Sequence, residues 1–381
     1  MKKILILGFT NLSHDARVLR QIDFIKKNYT VTVVCFEGAD DPEYEIIRIT
    51  KTNLTLFRKA ISSFFLITGL YTIAYHLLHN YSYLKKLLIH RNFDLVIAND
   101  IESLPLAFQL APKAKVLFDA HEFAPRHFED KLSWRLFFQG FNKYLCRKYI
   151  PKTHGMTTVG EGLANEYAKH YGVKPVLVTN ATRYHDLLPS PVEPTKIRMI
   201  HHGGANHSRR LELMIEMMDL LDERFTLDMM LITPEMGNSK TKNYISVLQE
   251  LIRNKPRIKI LPPKKSHEIV PFINQYDIGV FLLPPVNFNY ENTLPNKLFD
   301  FIQARLAIAI GPTPEMAKLV KRYDIGVISA EFTPQSLTAQ LTHLTKEKIE
   351  HFKINTHKAA KEHNAEANGI IVNNLIKELL D

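Results

Sequence analysis

Short apolar runs alternate with amphipathic stretches along the 381 residues of the chain, the pattern of an α/β protein built on parallel sheets. In the first half the runs are Lys3 to Gly8, Thr30 to Phe36, Glu45 to Ile49, Leu95 to Ala98, Ala114 to Asp119, Gly155 to Val159 and Pro175 to Val178. Between the first two, Ala16, Leu19, Ile22 and Ile25 recur at every third position with Arg17, Arg20 and Asp23 on other faces, which predicts a helix. The segment LLPSPVEPTK, residues 187–196, holds three prolines and reads as a linker. The alternation then restarts with Ile197 to His202, Thr226 to Ile232, Ile258 to Leu261, Ile278 to Leu283, Leu306 to Ile310 and Gly326 to Ser329. Two doubly wound, Rossmann-like domains are expected, residues 1–186 and 197–364, facing across a cleft, with ligands at the carboxyl ends of the strands. The final stretch, about 365–381, has Ile370, Ile371, Leu375, Ile376 and Leu379 at helical spacing.

Composition narrows the class without choosing a ligand. The apolar share of 45% and charged share of 23% are those of a folded soluble protein. Cys35 and Cys146 cannot form a disulfide framework, which points to a reducing compartment such as the cytoplasm. The opening MKKILILGF has too short an apolar part for a signal peptide and reads as a first strand. A net charge of +10 favours an anionic partner, and the absence of a basic low-complexity tail or an RNA-binding aromatic signature argues against nucleic acid. Ala60 to Leu78 lacks Lys, Arg, Asp and Glu and approaches the length of a membrane span. Spanning there would divide one sheet across a bilayer, so this stretch is expected to pack on the sheet or a partner, or to lie on an anionic membrane surface. The same holds for Trp134 to Lys152, where Phe137, Phe138, Phe141 and Tyr144 stand among Lys143, Arg147 and Lys148.

The strand-end loops carry the candidate chemistry. Tyr290 to Ala304, YENTLPNKLFDFIQA, runs from a polar loop into a helix with Leu294, Leu298, Phe301 and Ile302 on one stripe and Asn296, Asp300 and Gln303 on the other. Pro295 suits a first-turn position, and free backbone amides beside Lys297 suit a phosphate. A capped surface helix with solvated polar residues is the plainer reading. After the strand ending in His201 and His202 come Gly203 and Gly204, then Arg209 and Arg210, whose small residues and guanidinium groups would supply a second wall for a diphosphate. The first loop, Gly8 to Asp15, has one glycine where a dinucleotide site wants three, and Asp15 reads equally as a helix cap. Asp119, Ala120, His121 and Glu122 cluster two carboxylates with an imidazole; without a second histidine at zinc-protease spacing they suit acid–base work or recognition of sugar hydroxyls better than a metal.

Taken in series, the HDARVLRQ helix, LVIANDIESLPLA, VLFDAHEF, TVGEGLANEY, the strand ending in HHGG with Arg209 and Arg210, and LPNKLFDFIQARLAIAIG resemble the retaining glycosyltransferases of the GT-B fold, family 4, over nearly the whole chain. The resemblance implies transfer of a sugar from a nucleoside-diphosphate sugar to a glycan or lipid-linked acceptor, with no metal and no other cofactor. It implies that His121 meets the transferred sugar, and that Arg209 and Lys297 serve catalysis by holding the diphosphate. Gly8, Gly203, Gly204, Arg210, Thr293, Leu294, Asn296 and Asp300 would line the donor, with Asp300 on the ribose. Asn11, His14, Asp100 and Glu122 are the acceptor-side candidates. The family has two glutamates eight residues apart. Here Asn292 stands eight before Asp300 with Glu291 beside it, so either the register shifts by one or Asn292 replaces the carboxylate. A nucleotide-sugar epimerase of the same fold and a non-catalytic donor-binding subunit remain as alternatives. The resemblance further implies that the last helix crosses back onto the first half.

Overall fold

The computed structural model describes residues 1–51, 54–79, 81–88, 90–232 and 239–381, with side chains at 239–242 left aside. The chain divides into two compact units: residues 1–179, 287–289 and 368–381, and residues 180–286 and 290–367. Among the described residues of unit 1, strands Lys3–Leu7 (β1), Thr30–Cys35 (β2), Glu45–Arg48 (β3), Leu95–Asn99 (β4), Lys115–Ala120 (β5), Gly155–Thr158 (β6) and Val176–Leu177 (β7) form one sheet in the order β3-β2-β1-β4-β5-β6-β7. In unit 2, Ile197–Gly204 (β8), Phe225–Ile232 (β9), Ile258–Leu261 (β10), Ile278–Phe281 (β11), Ala307–Ile310 (β12) and Gly326–Ile328 (β13) form the order β10-β9-β8-β11-β12-β13. The pairings are parallel throughout. The uninterrupted apolar runs follow from this: β11 and β12 are buried at every position because helices cover both faces of a parallel sheet. Each strand expected from the pattern is present, to within a residue or two at its ends.

Three local readings change. The Pro-rich segment is no free linker, because unit 2 claims it from residue 180 onward. Ser190 donates to the Asn274 carbonyl and accepts from the buried Lys353 ammonium, and His185 is held between Gln303 and Arg305. Ala60 to Leu78 falls into two helices, Leu56–Ile67 and Tyr71–Leu78, parted at Gly69, whose φ of +77° ends the first. No described helix is long and apolar enough to cross a membrane. The polar stripe of Asn296–Gln303 is not solvated, since every residue of that helix after Asn296 is buried. Gln303 spends its amide on the Ala360 and His363 carbonyls, which explains how a polar side chain sits there at no exposure.

Close packing fixes where this helix lies. A Cβ on Gly279 in β11 would come within 2.4 Å of the fully buried Phe301 ring, so only glycine lets the helix approach the strand. Gly279→Ala is expected to destabilise unit 2 by about 1–3 kcal/mol through overpacking, read as a lower urea midpoint. The final helix, Ala365–Leu380, belongs from Asn368 onward to unit 1, where Val372 and Ile376 join Ile4, Ile6 and Val18 in one core.

Candidate active site

In unit 2 the site starts where β8 runs out through His201 and His202 into Gly203 and Gly204. Gly203 has φ +127°, which L side chains rarely adopt, and a Cβ there would stand 3.4 Å from Lys297 Nζ and 3.5 Å from Arg209 Nη1. Bare backbone therefore allows two cations to converge on one point. Arg209 ends the turn His207–Arg209 and donates Nη1 to the Gly204 carbonyl at 3.0 Å. Lys297 lies 3.9 Å from the centroid of the Phe281 ring and 3.2 Å from His201 Nε2. His201 Nδ1 is 2.9 Å from the Val280 carbonyl oxygen, so it carries the proton that donates there, and Nε2 is left to accept from Lys297.

Electrostatics around this point favour an incoming anion. Burial first, and then Arg209, hold the Lys297 pKa well below its ordinary value, with Asp300 opposing. His202 is lowered to about 3 by burial, Lys297 and Arg209, and burial with Lys297 keeps His201 well below the usual imidazole range. Both imidazoles are thus neutral, and the two cations repel each other, with Asp300 the opposing charge beside Lys297 among the described residues. Pro295 caps the helix Asn296–Gln303 from outside it, one position earlier than a first-turn proline, and no side chain caps the start. The first amides of that helix are therefore available to a ligand oxygen.

The other candidates of unit 2 separate by surroundings. Asp300 is almost buried, its carboxylate 3.5 Å from His202 Nε2. Leu294 is a core side chain whose carbonyl accepts from Asn180 at 3.0 Å, so only its backbone can face a ligand. Asn296 and Glu291 are exposed, while Asn292 and Thr293 are half-buried. Arg210 does not join Arg209: its backbone is left-handed at φ +48° and its guanidinium lies 3.6 Å from Glu212. Of the two arginines, Arg209 is the one beside Gly203 in this structure.

Unit 1 carries a second cluster at the ends of β4 and β5. Asp119, fully buried, accepts from Arg17 Nε at 2.6 Å and Nη2 at 2.5 Å, from Thr157 at 2.5 Å and from Gln21. Burial alone would raise its pKa; Arg17 and His121 more than offset this and hold the carboxyl well below its usual range. The HDARVLRQ helix is thereby explained, since Arg17 and Gln21 lie one turn apart and both reach Asp119, while Asp15 caps the helix by accepting from the Arg17 and Val18 amides. His121 sits between Asp119, 3.2 Å from Nε2, and Asp100, 3.5 Å from Nδ1. Burial lowers its pKa, but Asp100 and Asp119 prevail and the net shift is upward.

A cavity of about 160 Å³ adjoins His121, lined also by Asp100, Glu102, Glu122, His127 and Tyr167. Asp100 stands at φ +60°, and desolvation together with Glu122 and Asp119 raises its pKa against the pull of His121. Glu102 is raised likewise, by desolvation and then Asp100. His127 Nε2 lies 2.7 Å from Glu122. Glu102 and His127 were missed from the sequence, although each follows a chosen residue, Asp100 or His121, on the same strand-end loop. Asn11 is occupied as a turn former, accepting from the Ser13 amide and donating to Glu37 at 2.5 Å. His14 is exposed, and around Gly8 a Cβ would meet only ordinary contacts at 3.5 Å, so packing does not demand glycine there.

Comparison with known proteins agrees with this architecture. Residues 23–183 match Glycosyltransferase Family 4. Sucrose-phosphate synthase from Thermosynechococcus elongatus superposes with a TM-score of 0.74 at 10% identity, covering 100% of this chain and 99% of its own. A glycosyltransferase from Rickettsia africae gives 0.71 at 14%, covering 100% and 99%. Anabaena HepE in complex with UDP and glucose gives 0.68 at 12%, covering 99% and 100%. No curated protein sequence matches the chain. The chain has the GT-B fold of these neighbours, and the match to glycosyltransferase family 4 is confined to its residues 23–183.

Proposed function

We propose that the protein is a retaining, metal-independent glycosyltransferase that moves a hexosyl or related sugar from a nucleoside diphosphate to a glycan or lipid-linked acceptor, in the synthesis of cell-surface polysaccharide. The observation that carries the donor reading is the convergence of Lys297 and Arg209 on the bare backbone at Gly203. Negative charge accumulates on the departing diphosphate in the transition state, and fixed cations with helix amides stabilise it there more than in the ground state. They would fill the role a divalent cation plays in other enzymes. HepE, the fold neighbour bound to UDP and glucose, makes a uridine nucleotide the first donor to try.

A panel of nucleotide sugars should contain at least one that raises the melting temperature by mass action and is turned over with undiminished rate in EDTA. A strict magnesium requirement would remove the metal-free scheme. Conversion of the nucleotide sugar to its epimer in a donor-only incubation would favour an epimerase.

Peripheral attachment to the cytoplasmic membrane face belongs to the same reading. Residues 46–93 and 131–160 together contain thirteen Lys and Arg and no Asp or Glu, more positive charge than the whole chain nets. Within them Leu56 and Phe57 are 84% and 74% exposed, and Phe64, Ile67, Leu132 and Leu136 are each at least 60% exposed. The helix Leu56–Ile67 packs beside the turn Arg135–Gln139, so these side chains belong to one region of unit 1. Apolar area among cations suits anionic headgroups. Cosedimentation with phosphatidylglycerol vesicles is expected at low salt and should weaken at high salt; indifference to vesicles would remove this part.

A further inference from the structure

Unit 1 holds a larger cavity, about 440 Å³, that none of the foregoing chemistry uses. It is lined by Phe123, Arg126, Lys143, Arg147, His170 and Tyr171, with Glu129 and Glu166 also on its wall. The two acids are already engaged: Glu129 pairs with Arg126 at 2.6 Å, and Glu166 lies 3.0 Å from His170. Lys143 and Arg147 stand four residues apart on the helix Gly140–Tyr149, both exposed, and neither has an ion-pair partner among the described residues. Two uncommitted cations on one helix face therefore border a pocket of ligand size.

Its remaining lining completes a recognisable chemistry. The half-buried ring of Tyr171 offers apolar surface against which a pyranose can lie, backed by the buried Phe123, while Lys143 and Arg147 can both donate hydrogen bonds. An arginine fork with a lysine beside it matches the several oxygens of a phosphate better than the two of a carboxylate. The helix entering this wall contains a π-type turn, Arg135–Gln139, and Gln139 is part of the lining. Such turns are uncommon and concentrate at functional sites because they re-aim the side chains that follow.

We propose that this cavity binds a phosphorylated carbohydrate, with the phosphate on Lys143 and Arg147 and the sugar against Tyr171. It serves as a recognition subsite for the acceptor, a role that rests on the glycosyltransferase reading, while the binding itself does not. Either a soluble sugar phosphate or the diphosphate of a lipid-linked sugar carries this chemistry.

The test titrates the full chain with glucose 1-phosphate, and separately with phosphatidylcholine vesicles carrying polyprenyl diphosphate, against phosphatidylglycerol vesicles of equal charge. The wild type is expected to bind one of the two probes, preferring polyprenyl diphosphate over equal-charge vesicles if the source is lipid. Lys143→Gln with Arg147→Gln should weaken that binding at least about tenfold, as loss of two charge-assisted contacts requires, while the affinity for nucleoside diphosphate in unit 2 stays unchanged. Both positions are exposed, and unchanged nucleotide binding shows that the variant is folded. Binding of neither probe, or equal binding by the double variant, would overturn the proposal. Failure of the chain to bind any nucleotide would count instead against the glycosyltransferase reading.

Discussion

Lys297→Ala is expected to lower turnover by about 10²- to 10³-fold, the loss typical of a prepositioned donor aimed at charge that develops in the transition state. Lys297 is held by the Phe281 ring, by His201 Nε2 and by the wall of its own helix, so it reaches the point beside Gly203 without searching rotamers. Removing it also relieves a buried, repelled ammonium, so stability should be kept or rise slightly while catalysis fails. That divergence separates a functional lysine from a structural one. Arg209→Ala should act in the same direction, by about tenfold or more, because its guanidinium is half held by the Gly204 carbonyl and half open to a ligand. Initial rates at saturating donor, beside a urea titration, supply both readouts.

Arg17→Ala should produce the largest loss of stability, about 3–5 kcal/mol, because it leaves the Asp119 carboxylate buried with its main counter-charge gone. Thr157, Gln21 and His121 would still donate to Asp119, yet none of them carries the permanent charge of arginine. The sign of the pH dependence follows. Asp119 titrates in the fold well below its unfolded value, so its contribution is complete above the ordinary aspartate range and is lost as pH falls beneath it. Acid unfolding of the wild type should therefore be steep below about pH 4, and Arg17→Ala should flatten that limb. Asp119→Asn with Arg17→Met, which removes both charges, should recover part of the stability but not the orientation of His121.

The strands were legible because parallel sheets bury both faces, leaving runs such as Leu95 to Ala98 and Ile278 to Phe281 with no polar alternation to misread. The proposed donor cluster was legible in part. Gly203 and Lys297 announce themselves by glycine pairing and by position at a helix start, but nothing in the letters distinguishes Arg209 from Arg210. The distinction comes from a left-handed backbone at Arg210 that carries its side chain to Glu212. The plainer reading of Asn296–Gln303 as a solvated surface helix fails for a related reason, since the amide of Gln303 finds its partners on Ala360 and His363, some sixty residues away in sequence. Pro-rich 187–196 looked like a linker because proline signals irregular backbone, and irregular backbone can still be packed, as Ser190 on Lys353 shows. Arg17 is the plainest case of a missed role. It lay on the expected polar face of an amphipathic helix, yet it is buried against a carboxylate 102 residues further on.

The most direct test is the pH dependence of nucleoside-diphosphate binding by titration calorimetry, with proton exchange read from buffers of different ionisation enthalpy. Lys297 is depressed in the free protein, and a diphosphate placed on it would raise its pKa. Once the ligand is fully ionised, binding by the wild type should therefore take up a proton, and its affinity should fall as pH rises between the free and bound values. In Lys297→Ala both the proton uptake and that slope should vanish. Binding without proton uptake across the neutral to alkaline range, or an unaltered slope in the variant, would place the diphosphate away from Lys297 and contradict the donor site described here.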